Sequence, residues 1–70
     1  MVKVSYKRAE QLLHQSEFQP RELAHLLGTT QQFLFNEVWR GNLEAVKFGN
    51  DIVKFERSAI LEWLRRREQQ

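Results

Sequence analysis

Apolar residues recur along the chain in blocks whose spacing changes from helical to extended and back to helical. Tyr6, Ala9, Leu12 and Leu13 keep a helical period while Lys7, Arg8 and Gln11 point outward, so a first helix is predicted from a Ser5 cap to about Ser16. Pro20 suits the first turn of a second helix, where its missing N–H has no role, and Phe18 before it can pack back as a staple. That helix runs from about Pro20 to Leu27, carries Leu23, Ala24 and Leu27 on one face, and ends at Gly28 as a left-handed cap. Thr30 caps a third helix, about Gln31 to Arg40, with Leu34, Phe35 and Val38 as its buried stripe and Gly41 just beyond it.

After Asn42-Leu43 the period falls to two. Ala45-Val46-Lys47-Phe48 and Ile52-Val53-Lys54-Phe55 flank Gly49-Asn50-Asp51 and read as a β-hairpin. A lone hairpin is marginally stable, so this one is expected to lie on the helices through Val46, Phe48, Val53 and Phe55. Ser58 opens a last helix to about Arg67 whose apolar face is Ala59, Ile60, Trp63 and Leu64. The expected class is mainly α with a small β-hairpin, in the order α-α-α-β-β-α. The short Gly-containing connection between the second and third helices has the spacing of a helix-turn-helix.

Composition narrows the function. Seventy residues allow one domain, since a chain this short buries only about 60% of the surface its unfolded form exposes. The absence of cysteine removes disulfides and thiolate metal sites, so stability rests on packing or on packing with self-association. The longest apolar runs, such as Phe33-Leu34-Phe35, are far too short to cross a bilayer, and Met1-Val2-Lys3-Val4 does not open a signal peptide. A cytoplasmic protein with no membrane partner is expected. Net charge is only +2, with the cations gathered at both ends and over residues 45–58.

The run Phe18-Gln19-Pro20-Arg21-Glu22-Leu23-Ala24-His25-Leu26-Leu27-Gly28, the later Arg40-Gly41-Asn42-Leu43, the hairpin, and Ile60-Leu61-Glu62-Trp63-Leu64 together resemble the excisionase-like branch of the MerR-type winged helix-turn-helix domains. The likeness covers about residues 18 to 66 and lies in the order of several elements. It implies a winged helix-turn-helix domain at 18–67, with an N-terminal helical extension at 1–17 and a tail at 68–70. It also implies a small DNA-binding regulator, or an excisionase-like architectural factor, associated with the nucleoid. Thr30 to Arg40 is then the helix that enters the major groove, and Ala45 to Phe55 the wing on the backbone or minor groove. This chain departs from the family where Gln31 and Asn36 replace the usual basic residues, where Glu37 adds an acid, and where Asp51 stands in the region of the wing tip that often carries Arg beside its glycine.

On this expectation Gln31, Gln32 and Asn36 read bases, because side-chain amides can bond adenine N6 and N7 together. Arg21, Thr30, Arg40, Lys47, Asn50, Lys54 and Arg57 hold phosphates or build the wing; each is otherwise an ordinary surface residue. Arg65-Arg66-Arg67 fits a cationic helix C-terminus better than a DNA patch. Phe33 and Leu12 offer surface for a homodimer or cooperative side-by-side assembly, Phe33 alternatively for contact with a thymine methyl, and Trp39 for covering the wing or the first helix. His14 and His25, without cysteine, make no metal site. Glu22, Glu37 and Glu62 fall on different elements with no nucleophile. No enzyme, cofactor or small-molecule substrate is therefore expected. The alternative is a protein-protein interaction module that uses the aromatic third helix.

Overall fold

The chain builds four helices and a three-stranded antiparallel sheet, in a computed structural model that describes residues 4–68. Residues 1–3 of the expected N-terminal extension, Lys3 among them, and residues 69–70 of the expected tail lie outside the described residues.

Local chemistry sets most element boundaries. Ser5 Oγ accepts from the Arg8 N–H and opens α1 (Tyr6–Leu12). The helix stops four residues short of the expected Ser16. Leu13 leaves helical geometry (φ −89, ψ 85) and turns into the core, which lets the chain reverse and lay β1 (Glu17–Phe18) along the sheet. Helix α2 (Pro20–Leu27) starts on its proline and closes at Gly28, where φ 66 and ψ 38 are the left-handed values that glycine adopts without steric penalty. Helix α3 (Gln31–Trp39) starts at Thr30, whose Oγ1 accepts from the Phe33 N–H at 3.1 Å.

Strands β2 (Val46–Phe48) and β3 (Asp51–Glu56) form the hairpin, and β1 adds to the other edge of β3, giving the order β1-β3-β2. The β1 strand was not expected. It pairs Glu17 with Glu56 and Phe18 with Phe55, so Phe18, read as a helix staple, is a buried sheet residue as well. The turn at Gly49-Asn50 is two residues long, with φ +64 at Gly49 and no positive φ at Asn50. That sign pattern belongs to the type II′ turn, which favours glycine first and matches the twist of a hairpin.

The hairpin faces differ from the expected alternation. Val46 opposes Lys54 but Lys47 opposes Ile52, so Val53 is an extra residue in β3 and the ladder is bulged there. One extra residue inverts the inside–outside parity on either side of it. Ile52 and Phe55 therefore both reach the core, while Val53 and Phe48 are exposed; of the four residues expected to hold the hairpin down, Phe55 is buried and Val46 half-buried.

Helix α4 (Arg57–Glu68) follows β3 without a break, two residues earlier than the Ser58 cap predicts. Ile60, Leu61, Trp63 and Leu64 enter the core beside Ala9, Leu13, Leu23, Leu27, Leu34, Val38 and Leu43. At the start of α4, Arg57 donates to the carbonyls of Leu13 (2.7 Å) and Glu10 (3.3 Å); at its end, Glu68 accepts from the Tyr6 backbone N–H. These contacts fasten α1 at both ends and set it antiparallel to α4.

Candidate nucleic-acid interface

Helix α3 presents a largely polar face to solvent. Burial of Leu34 and Val38 turns Gln31, Gln32, Asn36 and Arg40 to solvent. Gln32 Nε2 donates to Asn36 Oδ1 at 3.1 Å, one helical turn away. This bond leaves the Gln32 oxygen as a free acceptor and the Asn36 nitrogen as a free donor, the complementary pair that an adenine edge presents in the major groove.

The hairpin stands against the end of this helix. The Lys47 ammonium lies 4.9 Å from the centre of the Trp39 ring, a cation–π contact between β2 and α3. Trp39 still keeps 58% of its surface exposed. Phe35, Trp39, Asn50, Asp51 and Ile52 line an open groove of about 360 Å³ between α3 and the hairpin tip. Lys47 and Asn50 therefore adjoin the C-terminal half of α3, whose exposed residues include Gln31, Gln32, Asn36 and, just past its end, Arg40, with Thr30 at the helix entry.

The remaining candidates lie elsewhere. Arg21 and Lys54 border a separate open hollow between α2 and β3, which Glu17, Glu22, His25 and Val53 also line. Lys54 is ion-paired with Glu17. The Arg57 guanidinium is turned onto the α1 carbonyls. Leu12 is half-buried on α1. Phe33 is half-buried and packs on α4, its ring 6.2 Å from that of Trp63 and 5.4 Å from the Arg67 guanidinium. His14 and His25 are exposed, and among the described residues no group of three or more His, Cys, Asp or Glu could hold a metal ion.

Behind α3 lies a cluster that the sequence reading missed. Glu37 is 4% exposed. Its Oε1 accepts from Trp63 Nε1 at 3.0 Å and from Arg67 at 3.0 Å, and its Oε2 from the Asn42 amide at 3.3 Å. Burial pushes its pKa up, but the bonds from Trp63 and Asn42 and the charges of Arg67 and Arg40 outweigh that, so the net shift is downward. Arg66 donates to the Asn42 carbonyl and Arg65 pairs with Glu62. Two of the three arginines thus clasp α3 and the loop that leads to the hairpin, a task beyond the macrodipole. A sequence signal existed: Glu37 sits three residues after Leu34 and beside Val38, a core-facing position, and a buried tryptophan needs an acceptor.

Comparison of the chain with models of known families, with curated proteins and with solved structures found no match.

Proposed function

We propose that this chain is a double-stranded DNA-binding module of the winged helix-turn-helix type, serving as a small transcriptional regulator or an excisionase-like architectural factor. The observation that carries this reading is the exposed amide face of α3 (Gln31, Gln32 and Asn36) flanked by Arg40 and by the hairpin cation Lys47. Helices α2 and α3, joined by Gly28-Thr29-Thr30, serve as the helix-turn-helix, α3 enters the major groove, and the β2–β3 hairpin is the wing.

Arg21, Arg40 and Lys47 form no ion pair among the described residues, and they supply the phosphate contacts. Lys54 and Arg57 are committed within the fold and drop out of that set. Three contacts are few, so useful specificity calls for a dimer or side-by-side binding on repeated sites.

Titration of a fluorescent duplex at several salt concentrations tests the reading. With three phosphate contacts the slope of log K against log salt is about −3. Absence of binding at low salt would rule the reading out.

The exposed Trp39, Phe48 and Val53 favour a second reading, a protein-interaction module. Reversing charge with Arg40→Glu and Lys47→Glu separates the two. Duplex binding falls steeply under the first reading, while an apolar protein interface is little changed.

A further inference from the structure

Resting on the DNA-binding reading, we propose that Phe48 is an apolar wedge: it enters the minor groove beside the wing, unstacks one base step, and bends the duplex that the protein binds.

The first observation is exposure without a partner. Phe48 is 81% exposed, the most of any large apolar residue described, whereas the other phenylalanines are buried or half-buried. It lies at the end of β2, one residue from the tight turn at Gly49-Asn50. Gly49 has φ +64 and open space where a Cβ would stand, and only the two-residue turn Gly49-Asn50 separates Phe48 from Asp51, so the tip is narrow. A narrow projection of this kind fits a groove only about 6 Å wide better than it fits a flat protein surface.

The second observation is charge. Across Lys47–Asp51 the one cation is matched by one anion, so the tip gains little from phosphate attraction. Its distinctive offering is a phenyl ring, adjacent in sequence to Lys47, whose ammonium rests on Trp39, and two residues before the exposed Asn50. Minor-groove proteins combine these elements: a cation near a phosphate, an amide for the acceptors on the groove floor, and an apolar side chain pushed between bases. Asp51 is the cross-strand partner of Phe48 and also lines the groove towards α3 with Trp39 and Phe35, so its carboxylate stands beside the ring and is a cost that insertion near phosphates has to meet.

The third observation is support behind the tip. Lys47 rests on the Trp39 ring at 4.9 Å, and Ile52, its cross-strand partner, packs on the core. The hairpin is therefore braced against α3, and insertion at its tip is coupled to the seating of α3 in the adjoining major groove. Flexible pyrimidine–purine steps unstack most readily, so a TA or CA step under the wing is preferred even where no atom of the protein reads it.

The experiment uses the full chain and a short duplex enriched by binding from a randomised pool. A fluorescent adenine analogue sits at the central TA step and a dye pair labels the two ends. Binding is read first, by anisotropy. Wild-type protein is expected to brighten the analogue and bring the ends closer. Phe48→Ala is expected to bind the same duplex within about tenfold, because groove and phosphate contacts remain, yet to leave both signals at their free-duplex values. Phe48→Leu, still an apolar wedge, recovers part of both. Replacing the TA step by a stiff A-tract weakens the wild type about tenfold and leaves Phe48→Ala almost unchanged. Binding by the wild type with no change in emission or end-to-end distance overturns the wedge and leaves DNA binding standing. So does a Phe48→Ala protein that bends the duplex as the wild type does. Failure of the wild type to bind any duplex removes the wedge and the DNA-binding reading together.

Discussion

The Trp63 indole donates to the carboxylate of Glu37 at 3.0 Å across the interface between α4 and α3. Each residue resolves a problem for the other. A buried indole N–H needs an acceptor, and a buried carboxylate needs donors on both oxygens. Arg67 and Asn42 complete the set, so α3 is held from behind by a polar lock within an apolar core.

Breaking that lock costs stability first. Glu37→Ala leaves the Trp63 N–H without its acceptor and Arg67 without its ion-pair partner, a loss of about 2–3 kcal/mol. Glu37→Gln retains an acceptor for Trp63 and loses the charge, at about 1–2 kcal/mol. Urea denaturation followed by circular dichroism measures both. A Glu37→Ala protein as stable as the wild type would show the lock to be idle.

The same carboxylate sets an acid limit. Its pKa lies below the ordinary 4.5 in the folded protein, so the unfolded chain takes up the proton first as pH falls. The stabilisation from Glu37 is therefore complete above about pH 4.5 and is lost as pH drops through the lowered folded value. Denaturation midpoints measured from neutral pH into this range should fall for the wild type. In Glu37→Gln the part of that slope due to this group should vanish.

Arg57 holds α1. Arg57→Ala removes donors to the Leu13 and Glu10 carbonyls and is expected to cost about 1–2 kcal/mol, mostly in the local stability of α1. Hydrogen exchange at the Ala9 and Leu13 amides, bonded to the Ser5 and Ala9 carbonyls, should quicken more than exchange in α2. Uniform acceleration across the chain would contradict a local fastening.

Cations on the two sides of the hairpin should behave differently. Lys47→Ala is expected to reduce the salt slope of duplex binding by about one unit, as loss of one phosphate contact requires. Lys54→Ala removes only a surface pair with Glu17, worth under about 1 kcal/mol of stability, and should leave the slope unchanged. Equal effects of the two substitutions on that slope would remove Lys47 from the interface.

The parts of the fold readable in sequence are those governed by local chemistry. Ser5 and Thr30 cap helices within three residues of themselves, and Pro20 and Gly28 bracket α2. The parts that escaped depend on distant partners. A two-residue strand such as Glu17–Phe18 has no period, and it exists because Phe55 and Glu56 lie alongside. The bulge at Val53 is a property of two strands in register, so alternation along β3 alone assigned Val53 to the wrong face. Of the candidate site, the amide face of α3 follows from the helical period alone. The bracing of Lys47 on Trp39, the surface pair of Lys54 with Glu17 and the turning of Arg57 onto α1 required the tertiary structure.

The fastening of α1 by Arg57 also bears on how freely the sequence can drift. The guanidinium recognises main-chain oxygens, and every residue type supplies these alike. Exchange of the exposed Glu10 side chain leaves its carbonyl in place, whereas no other residue reproduces the two-pronged reach of Arg57. Mutational tolerance across this contact is therefore one-sided: one partner is fixed by its chemistry and the other only by its position in the chain.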